Sequence, residues 1–590
     1  MNKILIALLL MFSSAAWASG FEDGHAAYNK KDYAAAIKHW RTATELGDAN
    51  SQSALGYMYF NGIGVQQDYK EANRLYKLAA EQGNTTAQSN LGINYYRGNG
   101  TEKNNVEAVR WLRVAANNGD AAASIHLADM YATGEGGLKK DDKEAYNLYL
   151  AAAEKGNYSA QLKVGAYNYD GIGTKKDVGE AMLWFGLVAE TGDAAAKTML
   201  GYMYAKGEGV GKDFTEALRL FKLAEKDDPN AQSAIGYMYF TGLGVKQDYK
   251  EANRRYKLAA ERGSVVAQSN LALNYTTGTG VEKNYTEAMR LSKLAADKSD
   301  AAAQMNLGKI YLEGLGTNKN VEEALRWYKL AATQGNASAQ LYIGGMYNNG
   351  QNVVQDYAEA MRWYKLAAAQ RDAVAQLNIG VMYNYGQGVV QDYAEAMRWY
   401  KLAAAQGQAS AQFAIGYMYD NGQGVVQDYA EAMRWYKLAA AQGDAVAQLN
   451  IGATYYNQKG VVQDYAEAMR WYKLAAAQGQ AVAYANIGYM YNYGQGVVQD
   501  YAEAMRWYKL AAEAGNASAQ LNIGIMYGDG KGVVQDYVRA HMWFNLAAVK
   551  GDAQAAKNRM IVAKKMTPQQ IAEAQKLARE CQAQNFKKCD

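Results

Sequence analysis

The chain has 590 residues, 62 basic against 58 acidic, and a formal net charge of +4. The two signs are mixed along the sequence with no basic stripe, which argues against electrostatic binding of nucleic acid. With 2 prolines there are no proline-rich linkers, and the length exceeds what one compact core holds unless each part packs only on its neighbours.

Met1–Ala18 reads MNKILIALLLMFSSAAWA. Lys3 is a positive n-region, Ile4–Phe12 an apolar h-region, and Ala16-Trp17-Ala18 a small-x-small site. A signal peptide cut before Ser19 is therefore expected. A retained anchor is the competing reading, but the apolar run is short for a span. The residue directly after the cleavage site is Ser19 and not the cysteine of a lipoprotein anchor, and no later segment is apolar enough to cross a membrane. The mature chain is expected to be exported, to the periplasm first of all, with the cell surface and the medium left open.

Residues 19–47 read as an abbreviated N-terminal capping half-repeat, with helices over His25–Asn29 and Tyr33–Glu45. From 48 to 551 the sequence repeats. The fourteen letters QDYAEAMRWYKLAA begin at Gln355, Gln391, Gln427, Gln463 and Gln499, one copy every 36 residues. Trp327 to Trp543 keep the same period. A fixed period of this size marks a solenoid, here about 15 helix–turn–helix repeats in an all-α chain.

Within Gln408–Gly443, Ala432, Trp435, Tyr436, Ala439 and Ala440 form one apolar helix face. Asp428 is the expected N-cap, with Glu431 reaching back as in a capping box. Gly443 stops that helix. The first helix is expected over Ser410–Asn421. Gly416 in its middle costs about 1 kcal/mol relative to alanine, so a close neighbour must require it. Val425 and Val426 are expected to plug the end of the pair. On a larger scale, Gln52–Asn90 matches Gln232–Asn270, five repeats later.

Residues 552–590 read as C-terminal capping helices and a tail. Thr567-Pro568-Gln569-Gln570 is a helix start, and Ile571, Ala574, Leu577 and Ala578 give that helix an apolar face. Cys581 and Cys589 are the only cysteines. In an exported chain they form a candidate disulfide. On one continuous helix they would stand about 12 Å apart. A bridge needs Cα atoms roughly 4.4–6.8 Å apart, so the helix must end and turn around Gln584–Lys588. Free or intermolecular thiols are the alternative.

The GxGVV loops follow helices and lack a Lys-Ser/Thr pair, so they read as turns rather than phosphate cradles. The 4 histidines are scattered, without metal-ligand spacing. No S-x-x-K, G-x-S-x-G or H-E-x-x-H occurs. No catalytic residue, cofactor or metal site is expected, and the chain reads as a non-enzyme.

The repeat unit resembles the Sel-1-like repeat, a relative of the tetratricopeptide repeat. In one unit the resemblance is carried by Ala411, Ile415, Gly416, Met418, Tyr419, Gly422, Gly424, Val425, Asp428, Ala432, Trp435, Tyr436, Ala439, Ala440 and Gly443. It covers nearly everything from residue 21 to 580. It implies a right-handed superhelix of helix pairs and a scaffold or adaptor role, often in exported bacterial proteins that meet host or envelope partners. A cysteine-rich branch of the family is linked to β-lactam ligands. An envelope enzyme or binder of cell-wall ligands is therefore the alternative function, although no repeat here contains cysteine.

In solenoids of this kind the first helix lines the concave face, and the near-identical repeats here differ mainly in their first helices. The positions one, four and five after the mid-helix glycine are the expected partner-binding residues. In the early repeats they are Tyr57, Phe60 and Asn61, then Tyr237, Phe240 and Thr241. In the later repeats they are Val381, Asn384 and Tyr385, then Tyr417, Asp420 and Asn421, then Tyr489, Asn492 and Tyr493. Tyrosine and asparagine combine contact area with hydrogen bonding at low entropy cost, which fits a protein or peptide partner. Packing between repeats is the competing role for each residue.

Overall fold

The computed structural model describes residues 20–584 together with 586, 587 and 589. The leader expected at 1–18 lies outside them. Among the described residues every regular element is an α-helix. The chain divides into two compact units, Met1–Asp300 and Ala301–Asp590, and within each the helices pack in consecutive pairs. The fold is an all-α solenoid.

At the N-terminal side a helix runs through residues 20–29, starting before the expected His25. The reason is local. The indole Nε1 of buried Trp40 donates to the Phe21 carbonyl at 3.2 Å, and Phe21 and Tyr28 both pack on the cluster around Ile37 and Trp40. The next helix is Tyr33–Glu45, capped by the Asp32 carboxylate.

The central repeat shows how each pair is made. Its first helix is Ala409–Asn421, ended by Gly422 in the left-handed conformation (φ 66°). Its second is Tyr429–Ala441, started by Asp428, whose carboxylate accepts from the N–H groups of Ala430 and Glu431. A cap of this kind contributes about 1 kcal/mol. Asp428→Ala is expected to cost that amount, read as a lowered denaturation midpoint.

The expected capping box does not form at this helix. Glu431 turns away from the cap and accepts instead from Arg434 and from Trp435 Nε1, each at 2.8 Å. Arg434 in turn lies over the Trp435 ring, 5.2 Å from its centroid. The Asp428 N–H that a box would use already donates to the Tyr419 carbonyl at 3.0 Å, so the carboxylate is left to the guanidinium and the indole. At Thr567 the N–H donates to Gln570 at 2.9 Å, and the reciprocal box is made.

Gly416 is explained by its partner helix. A Cβ there would stand 2.7 Å from Tyr436 Cδ1, a ring fully buried in the pair. The same contact recurs at Gly380 with Tyr400 and at Gly201 with Phe221. One repeat changes both sides: Ala272 replaces the glycine where Ser292 replaces the ring, and both are buried.

The core lies between repeats as much as within them. Ala396, Met397, Tyr400, Ala403 and Ala404 of one second helix pack on Ala411, Ile415 and Met418 of the next first helix, with Val425 and Trp435 at the edge. Met397 and Met433, overlooked in the sequence reading, are buried. Val425 therefore does plug the pair, but Val426 does not: it is 88% exposed. Consecutive residues of an extended loop point to opposite sides, so only one of the two can face the core.

Glutamines tie the stack together. Gln340 donates from Nε2 to the Ala332 carbonyl at 3.0 Å, while its Oε1 accepts from Gln370 at 2.9 Å. Both partners change together in one later repeat, to Tyr484 and Ala514. The five-repeat duplication is visible in side-chain bonds as well. Asn94 donates to Asn73 at 2.7 Å and Asn274 to Asn253 at 2.8 Å. Ser89 donates to Asp120 at 2.9 Å and Ser269 to Asp300 at 2.8 Å.

The last helix, Pro568–Ala583, buries Ala574, Ala578 and Cys581. It stops at Gln584, and Cys581 and Cys589 are joined with their Cα atoms 5.0 Å apart. No described helix is long and apolar enough to cross a membrane.

Candidate functional site

The first helices present the side chains that vary between repeats. Their last turns are held by one recurring bond. The Gln at the start of each QDY stretch reaches back to the carbonyl four residues after the mid-helix glycine: Gln427 to Asp420 at 2.7 Å and Gln499 to Asn492 at 2.8 Å. The backbone carrying the variable residues is thereby clamped to the loop that follows it.

On this frame the expected residues fall into two groups. Tyr57, Tyr237, Tyr385, Tyr417, Tyr489 and Tyr493 are exposed, by 39% at Tyr489 and 68% at Tyr385. Phe60 and Phe240 are packing residues instead, half-buried and edge-on to Tyr69 at 5.0 Å and Tyr249 at 5.1 Å. A fully apolar ring gains more from a neighbouring ring than from water. Asn61 and Asn421 are exposed, but each donates its amide to a carbonyl of its own helix, Tyr57 or Tyr417, at 2.9 Å. Asn384 and Asn492 are half-buried, each with a carboxamide oxygen that has no hydrogen-bond partner.

The clearest grouping lies in the second unit. Tyr489 and Tyr493 have ring centroids 4.4 Å apart, and Tyr456 meets Tyr489 edge-on at 6.5 Å. Beside them a slot of about 340 Å³ is lined by Ala453, Tyr456, Asn457, Tyr472, Asn486 and Tyr489. Ala453 stands where other repeats carry Tyr417 or Tyr489, and its small side chain leaves the space. Tyr456 and Asn457 follow the same positional rule as the expected residues, standing four and five after Gly452.

This surface carries little charge. Lys459 and Asp420 pair with each other at 3.5 Å, as do Lys531 and Asp529 at 3.0 Å. The tyrosines beneath are neutral over the physiological range. Burial pushes Tyr364 up to about 12 and raises Tyr436, Tyr472 and Tyr508 further. Among the described residues no group of three or more His, Cys, Asp or Glu side chains could hold a metal ion.

The Sel1 repeat model matches fifteen consecutive segments, from 13–48 through 409–444 to 517–552. The chain belongs to the Sel1 repeat family. Among solved structures, this Sel1 repeat chain is similar to c5321, a protective antigen of uropathogenic Escherichia coli strains with the same repeat fold. The identity is 34%, over 75% of this chain and 96% of that one, with a TM-score of 0.59. A Sel1 repeat protein from Oxalobacter formigenes is 32% identical over 52% of this chain and 89% of its own, with a TM-score of 0.45. No curated protein matches the sequence.

Three repeats of this Sel1 chain lose both cations of the second-helix face, with Asn147 and Leu150, Leu183 and Gly186, and Met542 and Asn545 in their places, and the middle one of the three leaves a groove. Leu183 replaces the arginine of the repeat and Gly186 its lysine, so Leu183 and Leu187 join Leu223 in an exposed apolar groove. Glu180, left without an arginine, accepts only from Trp184 Nε1 at 2.9 Å. The signal was present in the sequence as Leu183 and Gly186 at two positions that are basic in most repeats.

Proposed function

We propose that this protein is an exported scaffold that binds a protein or peptide partner along its first-helix face, on the exposed tyrosines and asparagines. Fold and family place it among repeat solenoids that generally serve protein–protein interaction. The observation that supports the site is the contrast within each repeat. In the five copies from Gln355 to Gln499 the second helices begin letter for letter alike, while the first helices differ and hold Tyr417, Tyr489 and Tyr493 out to solvent. Packing alone does not call for such rings, since Gly345 and Ala453 fold in the place of Tyr417 and Tyr489, and Asn421 and Asn457 in the place of Tyr493. Several weak contacts from successive repeats add through effective concentration.

The test replaces Tyr417, Tyr489 and Tyr493 together by alanine and compares capture of partners from envelope extracts and host fluids. The expected result is loss of a partner held by the unaltered chain, with helical content unchanged. Equal capture by both proteins would show that the partner binds elsewhere.

A further inference from the structure

The groove on the helix Val178–Glu190 lies open, while the same place in a later repeat is covered. Where Met542 and Asn545 replace the two cations, Met542 is buried. The helix Pro568–Ala583 packs against it, with Leu577, Ala578 and Cys581 in the same apolar cluster. A second helix that has lost its cations is thus, within this chain, a seat for another helix. At the groove Leu183 is 66% exposed, Leu187 52% and Leu223 54%.

Gly186 points the same way. It stands mid-helix, where glycine is destabilising relative to alanine. Gly416 is required by the ring packed on it, but a Cβ at Gly186 would meet nothing within 4 Å. Packing within this chain gives that glycine no reason. The close approach of a further helix does.

Charge then selects the occupant. Glu180, Leu183, Leu187 and Glu190 fall at i, i+3, i+7 and i+10 of one helix, a single stripe with a carboxylate at each end. Neither carboxylate has an ion-pair partner among the described residues. Of the other charges lining the groove, Lys197 donates to the Gly192 carbonyl, and Glu216 is paired with Arg219. The stripe therefore suits an apolar helix face bounded by cations, and the chain itself carries one. Along the helix Ala553–Ala563 and the residue that ends it, Lys557, Met560, Ile561 and Lys564 fall at i, i+3, i+4 and i+7. Met560 is 59% exposed and Ile561 56%, and neither lysine is paired with a carboxylate among the described residues. Asp552, the carboxylate nearest in sequence, is engaged in capping that helix. The lysines stand about 10 Å apart along their helix and the glutamates about 15 Å along theirs, a difference that two flexible lysine stems span.

We propose that the groove on Val178–Glu190 docks the helix Ala553–Ala563 of a second copy of this chain. Met560 and Ile561 lie on Leu183 and Leu187, the backbone at Gly186 is in close contact, and Lys557 and Lys564 meet the two carboxylates. The two patches differ, so the contact is heterologous and copies add head to tail. It uses second helices and the C-terminal end, and does not depend on the partner proposed for the first-helix face.

The experiment is sedimentation velocity of the chain from Ser19 onward, over a range of concentrations. The unaltered chain is expected to gain mass with concentration, and less so in high salt. Leu183→Arg with Gly186→Lys gives this repeat the pair that most repeats carry, so the fold is kept, and is expected to weaken association about tenfold or more. Lys557→Glu with Lys564→Glu is expected to do the same. Mixed together, the two altered chains should form a one-to-one complex and nothing larger, since one brings an intact helix and the other an intact groove. A chain that stays monomeric at every concentration would overturn the proposal. So would association that survives both double substitutions, or a mixture that forms no complex. A monomeric chain that binds a synthetic lysine-ended amphipathic helix would assign the groove to another protein and overturn the second copy as its occupant.

Discussion

Tyr436→Ala is expected to remove about 3–5 kcal/mol from the repeat that contains it, the usual effect of emptying a large aromatic site. The ring is fully buried and lies against Gly416, so its loss leaves a cavity that a backbone without a Cβ cannot fill. A solenoid spreads stability over nearest neighbours, so the effect is local. Hydrogen exchange across Ala409–Asn421 is the appropriate measurement, with protection falling by two to three orders of magnitude relative to distant repeats. Tyr436→Phe is the control. Phe185 and Phe221 fill equivalent places against Gly165 and Gly201, and the hydroxyl bond to Asp420 is long at 3.4 Å. Its cost should stay below about 1.5 kcal/mol. Unchanged protection in Tyr436→Ala would mean that the glycine–ring contact does not hold the pair.

The second large effect is alkaline unfolding. Burial pushes Tyr202 and Tyr364 up to about 12, and raises Tyr76, Tyr256, Tyr328, Tyr400, Tyr436, Tyr472 and Tyr508 from the same ordinary value near 10. A group whose pKa is higher when folded keeps its proton longer in the native state. Its contribution is intact below pH 10 and is lost as the pH rises through the folded value. Nine of the fifteen repeats carry one of these rings, so the losses add. Helicity is expected to hold up to pH 10 and then collapse steeply, together with the rise of tyrosinate absorbance. Full ionisation with helicity retained would show that the hydroxyls reach water without unfolding.

Much of this architecture could be read from the sequence because the repeat says it many times over. The period, the Asp428 cap, the Gly422 stop and the need for a close neighbour at Gly416 all follow from local rules applied to one unit. What escaped depends on competition between groups in space. Glu431 sits at capping-box spacing, yet Arg434 and Trp435 bind it first. Val425 and Val426 are the same residue type, and only the loop's path decides which one is buried. Phe60 occupies a position that is half-buried in most repeats, and Tyr69 offers it a ring to pack on. The slot at Ala453 escaped for a different reason: it is made by a side chain that is missing, and a search for residues able to bind overlooks the gap between them.

The Gln427 clamp and the shared seams have a consequence for the gene as well as the protein. Between Gln355 and Gln499 the junction from one block to the next is written in the same letters on both sides. Excising or copying one 36-residue block there joins ends that already know each other, and no new interface has to be invented. The tyrosine-bearing helices are not interchangeable in this way, since each carries its own letters. Slippage during replication would thus alter the length and order of the binding row while leaving the stability of each step untouched. The molecule separates what may drift from what must stay constant.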